Sequence, residues 1–321
     1  MPGSNRCGKV VGRARLRTEG TLIGRPFTVT MSGYLSSEQR ERYARHLVLP
    51  GVEEEGQEKL LKSSVLVVGA GGLGSPALMY LAAAGVGRIG IIDNDTVSSS
   101  NLQRQIIHNS SWVGKSKVES ASNWIKGLNS DIDVVEMEDR LTHENSLEIL
   151  SGYDVIIDGT DNFQSRYLIG DACEILDKPW IFGSIHRFEG QVSTFNHNGG
   201  PNYRDLFPTP PPPELSPNCT EAGVLGVLPG IVGTFQSSEA LKVILGIGEN
   251  LRGKLLVIDA LTMEMRSLSF SKNPERVRVT RLGDSVSRDF GEIGAKDLFE
   301  RRQAGWKPFL LDVRRADEEA I

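Results

Sequence analysis

The sequence is short of cysteine, of unbroken apolar runs and of any strong excess of one charge. Its three cysteines, Cys7, Cys173 and Cys219, are far apart and odd in number. They supply neither a disulfide framework nor a four-cysteine zinc site, and a reducing, cytoplasmic setting is expected. The most apolar stretch, residues 78–92, is interrupted by Gly85, Gly87, Arg88 and Gly90. It falls short of the ~18–20 apolar residues of a membrane span, so no membrane partner is expected. Lysine and arginine number 36 against 41 acids, a net charge of −5, which argues against a general polyanion binder and hence against a nucleic-acid partner. What is present is a globular mixture, 39% hydrophobic and 24% charged over 321 residues, enough for one large core or two domains.

Residues 1–33 carry Arg6, Lys9, Arg13, Arg15, Arg17 and Arg25 against Glu19 alone and read as a disordered basic tail, although a transit peptide has the same bias. Met31, just ahead of a helix signal, suggests a start codon placed too far upstream. Ser36-Ser37-Glu38-Gln39 has the spacing of a capping box and opens a helix over 38–47. From Val65 apolar runs alternate with helical stretches, the pattern of a sheet built from βαβ units. Strands are predicted at 65–68, 88–92, 133–136, 154–158, 180–184, 191–195 and 255–259, and helices at 115–128, 145–150, 164–176 and 234–245. In the first unit Ser75 can cap, Pro76 suits a first helical turn and Gly85 stops the helix. Short glycine-containing turns make the later strands partly antiparallel. The fold class is therefore α/β, a doubly wound mixed sheet with helices on both faces. Six prolines within residues 208–217 force a surface loop. The divisions expected are a nucleotide-binding domain over 34–275, a linker over 276–290 and an incomplete domain over 291–321, with one helix at 295–304 and one strand at 309–313, too little to bury its own core.

Gly69-Ala70-Gly71-Gly72-Leu73-Gly74 follows a strand and opens a helix with the spacing that brings backbone N–H groups close to phosphates. Asp93, 19 residues beyond Gly74, ends the second strand, where a carboxylate can take a ribose hydroxyl. Taken alone, these residues also suit a tight turn with a solvated aspartate. Arg104, in Asn101-Leu102-Gln103-Arg104-Gln105, and Lys117, which opens the next helix, add two cations. That set suits phosphoryl or nucleotidyl transfer better than an apolar nicotinamide slot. Asp161, in Asp158-Gly159-Thr160-Asp161-Asn162 after another strand, is placed for Mg²⁺, which takes one or two carboxylates plus phosphate oxygens.

These segments, with Arg42-Tyr43-Ala44-Arg45, Ser100 to Gln105 and Cys219-Thr220-Glu221-Ala222-Gly223-Val224, closely resemble the adenylyltransferases that activate ubiquitin-like sulfur carriers, the molybdopterin-synthase and thiamine-thiazole activating enzymes. The resemblance covers residues 35–270. It implies a Rossmann-like, ubiquitin-activating-enzyme-like fold, and ATP and Mg²⁺ as cofactors. The partner it implies is a ubiquitin-like sulfur-carrier protein with a Gly-Gly C-terminus, whose terminal carboxylate is adenylated. It further implies nucleotide contacts at Gly71, Gly72, Gly74, Asp93, Ser100, Asn101, Leu102, Gln103, Arg104, Lys117, Asp161 and Asn162. By the same resemblance Arg45 reaches the γ-phosphate across a homodimer interface, and Cys219 receives the acyl group as a thioester or forms a mixed disulfide. A lone cysteine is as readily a small buried hydrophobe, and Cys173 reads as core.

Many relatives carry two Cys-x-x-Cys pairs that hold zinc. Here the first pair reads Asn202 and Asp205 and the second is absent after Arg266, so no zinc site is expected. The branch without these pairs often carries a rhodanese-like domain. Leu310-Leu311-Asp312-Val313-Arg314 with Glu318 resembles its opening, so a sulfur donor would lie in a missing segment or in another protein. An NAD-dependent oxidoreductase and a non-catalytic nucleotide-binding scaffold for a carrier remain as alternatives; Arg104, Lys117 and Asp161 together speak against both.

Overall fold

The computed structural model describes residues 35–210 and 223–283. The basic tail, most of the proline-rich stretch, Cys219 and the rhodanese-like opening lie outside the described residues.

The chain enters through α1 (Ser37–Arg42), closed by the expected capping box: Ser36 Oγ accepts from the Gln39 N–H and Gln39 Oε1 from the Ser36 N–H, both at 3.1 Å. The single helix expected over 38–47 is broken at Tyr43, and α2 (Ala44–Leu47) follows. The break turns the Tyr43 ring inward, where its hydroxyl accepts from Asn129 Nδ2 at 2.8 Å. Helix α3 (Glu53–Lys62) has no counterpart in the sequence reading. Six of its ten residues are charged; it buries Leu60 and carries the i,i+4 pairs Glu55–Lys59 and Glu58–Lys62.

Then come β1 (Ser64–Val68), α4 (Gly74–Ala84), β2 (Arg88–Ile92), α5 (Lys117–Leu128), β3 (Asp133–Met137), α6 (Ser146–Ser151), β4 (Val155–Asp158), α7 (Phe163–Leu176), β5 (Trp180–His186), β6 (Glu189–Phe195), α8 (Tyr203–Leu206), α9 (Val227–Leu245), β7 (Lys254–Asp259) and β8 (Met265–Ser269). The eight strands form one sheet in the order β3-β2-β1-β4-β5-β6-β7-β8. The first five in that row are parallel and the rest antiparallel, so the mixed α/β sheet stands as expected. Alternate residues of each central strand serve opposite faces, as a period of two requires. Val65, Val67, Ile89, Ile91 and Ile157 pack with α4, α5 and α9. Leu66, Val68, Ile92 and Ile156 pack with α6, α7 and an aromatic group of Trp180, Phe182, Phe195 and Tyr203. Cys173 is wholly buried in that second layer, and burial pushes its thiol pKa up.

Three boundaries depart from expectation for physical reasons. Ser75 does not cap α4: it sits inside the helix and its hydroxyl donates back to the Gly71 carbonyl at 2.7 Å. Helix α9 begins seven residues before Thr234, because Pro229 falls in its first turn, where no N–H is needed. Strand β8 is exposed along its length and pairs only with β7, an edge strand without an apolar face to betray it. Among the described residues no helix is long and apolar enough to cross a membrane.

Candidate active site

Strands β1, β2 and β4 end side by side, with Val68 in register with both Ile92 and Asp158. Because the chain leaves β1 towards β2 and later returns on its other side as β4, this edge is the switch point at which open α/β sheets take ligands. A cavity of about 320 Å³ lies there, lined by Gly71, Gly72, Asp93, Arg104, Lys117 and Asp161 among others.

The loop after β1 is shaped by backbone contact. Gly69 adopts φ +96°, and a Cβ on Gly74 would stand 1.9 Å from the Gly69 carbonyl oxygen. Gly74 therefore serves the close approach of loop and helix and does not line the cavity. Gly71 is different: a Cβ there would meet nothing nearer than Gln105 Nε2 at 3.6 Å, so its bareness leaves backbone open towards the cavity. Two side chains pin this loop. Asp93 Oδ2 accepts from the Ala70 N–H at 2.8 Å, while its Oδ1 accepts from the Asp95 N–H. At the carbonyl of the same residue the buried His108 ring bridges the Ala70 oxygen and Ser120 Oγ, each at 2.9 Å. Burial lowers the His108 pKa, which favours the neutral ring, with Nε2 donating to the carbonyl and Nδ1 accepting from the serine.

The cations approach from two directions. Lys117 opens α5 and is buried, its ammonium 2.7 Å from Asp95 Oδ2. Arg104 follows a 3₁₀ turn over Ser99–Asn101 and its Nη1 donates to the Ser100 carbonyl at 3.0 Å. That turn is itself closed by Asn101, whose Oδ1 accepts from the Ser98 N–H. Opposite, Asp161 follows β4; it is exposed, and its carboxylate has no protein partner among the described residues. Next to it Asn162 caps α7 by accepting from the Ser165 N–H at 2.9 Å.

Of the sequence-predicted residues, the cavity thus gathers Gly71, Gly72, Asp93, Arg104, Lys117, Asp161 and Asn162. Ser100, Asn101, Leu102 and Gln103 are not on its wall; the first two build the turn that aims Arg104. Arg45, exposed on α2, does not line the cavity of its own chain. Sequence reasoning missed Asp95, Gln105, Arg140 and His108. Gln105 is buried with its Oε1 unpartnered; Asp95 and Arg140 each lie three residues past a strand end, β2 and β3, and the strand-end rule applied to every strand would have flagged both.

The donor set suits Mg²⁺: one free carboxylate facing a cavity walled by open backbone and cations is what a phosphate-bound ion needs. Zinc does not fit residues 202–205. Asp205 is committed through Oδ2 to the Asn202 N–H at 2.7 Å and through Oδ1 to the Asn273 N–H at 3.1 Å and Arg276 Nε at 2.7 Å. Arg276 also reaches Glu174 at 2.7 Å, so an ionic clasp occupies this place.

The ThiF family model matches residues 43–279. The chain belongs to the ThiF family. The resemblance drawn from the motifs therefore holds, and ThiF relatives can be set beside it. The chain is 46% identical over 305 residues to the probable adenylyltransferase/sulfurtransferase MoeZ of Mycobacterium tuberculosis, covering 90% of this chain and 78% of that one. It is 50% identical over 244 residues to the sulfur carrier protein adenylyltransferase of Thermus thermophilus, covering 74% and 90%. With the adenylyltransferase and sulfurtransferase MOCS3 of Arabidopsis thaliana it shares 53% over 232 residues, 72% of this chain and 50% of that one. Among solved structures, E. coli MccB with ATP superposes with a TM-score of 0.63 at 21% identity over 77% of this chain and 76% of that one, a likeness of fold.

Proposed function

We propose that this ThiF-family chain is a Mg-ATP-dependent adenylyltransferase acting on the C-terminal glycine of a ubiquitin-like sulfur-carrier protein. The observation that carries the reading is the convergence of Arg104, buried Lys117 and unpartnered Asp161 on one cavity beside the glycine loop. Relatives named for that activity, from Thermus and from Porphyra purpurea, at 50% and 46% identity, support it.

In this reading one carboxylate oxygen of the carrier attacks the α-phosphorus of ATP, the bond to the bridging oxygen of the β-phosphate breaks, and pyrophosphate leaves with that electron pair. The backbone of Gly71 and Gly72 lies against the phosphates, and Asp93 takes the ribose. Arg104 and Lys117 neutralise charge on the phosphate oxygens as it redistributes in the transition state. Mg²⁺, held by Asp161 and phosphate oxygens, would supply further charge neutralisation when bound. Ser100, Asn101, Leu102 and Gln103 act as a unit with Arg104, and Gly74 holds the loop against α4. Cys219 is proposed as the acceptor of the acyl group or the partner of a mixed disulfide. Sulfur would be delivered by a separate donor protein or a further domain.

Arg45 serves a second copy of the chain. An apolar groove of about 680 Å³ between α4 and α9, walled by Tyr80, Ile106, Trp124, Val227, Ile231 and Phe235, supports a homodimer. Tyr80, Ile106 and Val227 are more than half exposed in the single chain, and a second pocket beside Tyr80 is lined by His46, next to Arg45. A cytoplasmic, reducing setting is part of the same proposal. Carrier-dependent pyrophosphate release tests the mechanism: Arg104→Ala and Asp161→Ala should each abolish it, and near-normal turnover in either would remove that residue and the mechanism built on it.

A further inference from the structure

Asp161 stands between Thr160, whose N–H, hydroxyl and carbonyl are all engaged, and Asn162, whose side-chain oxygen caps α7, and the groups that engage Thr160 are buried. Asp158 ends β4 with no exposed surface. Its Oδ1 accepts from both the Thr160 N–H at 2.9 Å and the Thr160 hydroxyl at 2.6 Å. Its main-chain oxygen accepts from Gln236 Nε2 at 2.7 Å, which ties the strand end to α9. Arg166, in the first turns of α7, is 4% exposed, and its Nη2 donates to the Thr160 carbonyl at 3.3 Å. The guanidinium is flanked by the rings of Phe163 and Phe182, at 5.5 and 5.6 Å from their centroids, and its Nε lies 3.8 Å from Asp158 Oδ2. An ion pair this deep is costly in a protein interior unless further hydrogen bonds offset the loss of water, and Thr160 supplies such bonds to both partners.

We propose that Asp158 and Arg166 are positioning residues for Asp161: together they hold the N–H, the hydroxyl and the carbonyl of Thr160. With Asn162 fixed as the cap of α7, Thr160 and Asn162 form a bracket that leaves Asp161 as the one side chain of the turn free to face the nucleotide. The proposal rests on the reading of Asp161 as the carboxylate that meets Mg-ATP. Preorganisation of this kind works because a group held in its productive place pays no ordering cost when the ligand arrives. Neither Asp158 nor Arg166 touches the reacting atoms.

The test is nucleotide binding by calorimetry on the whole chain, in Mg²⁺ and in chelator. The variants are Thr160→Val, which removes the hydroxyl at constant shape, and Thr160→Ser, which keeps it. Thr160→Val should weaken Mg-ATP binding about tenfold, the worth of one hydrogen bond to a charged acceptor. It should leave metal-free ATP binding unchanged and show no further loss when added to Asp161→Asn; Thr160→Ser should bind as the wild type does. Arg166→Lys, which keeps the charge but not the reach to the Thr160 carbonyl, should reproduce the loss from the other side. Wild-type Mg-ATP affinity in Thr160→Val, or an equal loss in chelator or in the Asp161→Asn background, would overturn the bracket. A wild type that binds Mg-ATP with this full pattern but shows no carrier-dependent pyrophosphate exchange would overturn the adenylation reading alone. A wild type that exchanges normally and a Thr160→Val indistinguishable from it would overturn the bracket alone.

Discussion

Lys117 is paired with Asp95 at 2.7 Å, and of the two it is the lysine that is buried, with 7% of its side chain exposed against 63% for the aspartate. The cation is therefore fixed by the fold while its partner is free to move into solvent. A phosphate oxygen arriving in the cavity can take the place of Asp95 without leaving a buried charge unpaired. Lys117→Ala should lower pyrophosphate exchange by about 10²–10³, the range for removing one preorganised group that stabilises transition-state charge. Asp95→Asn should retain exchange. Steady-state rates for the two variants decide it, and comparable losses in both would make the pair structural.

Arg45 and Lys117 belong to different sites if Arg45 acts across a dimer. Purified Arg45→Ala and Lys117→Ala chains, each inactive alone, should recover activity when mixed and allowed to exchange subunits. One site of each mixed dimer then has both groups. No recovery, with subunit exchange shown by mass spectrometry, would place Arg45 in its own chain's chemistry or outside the chemistry altogether.

Burial raises the Asp158 carboxyl to about 6, against the opposing pull of Arg166 and the Thr160 hydrogen bonds. The other ionisable groups around it are Asp161, Cys173 and Tyr203. A carboxyl raised in the folded state binds a proton that the unfolded chain has already lost. Its contribution to stability is whole below the ordinary aspartate pKa of 3.8 and is lost as pH rises through about 6. Asp158→Asn lacks that slope. The difference in melting temperature, variant minus wild type, should therefore shift in the variant's favour between pH 4 and pH 6.5, and a flat difference would contradict the burial argument.

Arg276 joins two carboxylates, Glu174 and Asp205, of which 8% and 1% of the side chains are exposed. Arg276→Met would leave both without their counter-charge. The expected cost is about 2–4 kcal/mol, below the 3–5 of a fully buried pair because the arginine is partly open to solvent. That corresponds to a fall in melting temperature of roughly 5–10 °C for a domain of this size. Chelator should leave the wild-type midpoint where it is.

Cys219→Ala should still support carrier adenylation but retain no hydroxylamine-sensitive carrier adduct. An adduct that survives the substitution would remove Cys219 from the chemistry.

The sequence revealed most where one strand or turn carries its own signal. Strands β1, β2 and β4 read as short apolar runs because parallel strands are buried on both faces, and Ser36 with Gln39 announced α1. Helix α3 stayed hidden because its apolar content is little more than Leu60 and Leu61, and the first seven residues of α9 because Pro229-Gly230 reads as a breaker until its place in the first turn is known. In the site, glycine loop, cations and Asp161 were legible as strand-end residues. The supports were not: His108 meets Ala70 across 38 residues and Gln236 meets Asp158 across 78, distances over which no local pattern speaks.

The central claim is adenylation of a protein carboxylate, and ATP–pyrophosphate exchange measures that step directly. The purified chain, with Mg²⁺ and candidate carriers ending in Gly-Gly, should exchange label only when one such carrier is present, and should lose exchange when the terminal glycine is removed. Tight ATP binding with no exchange for any carrier would contradict the account and leave a nucleotide-binding scaffold in its place.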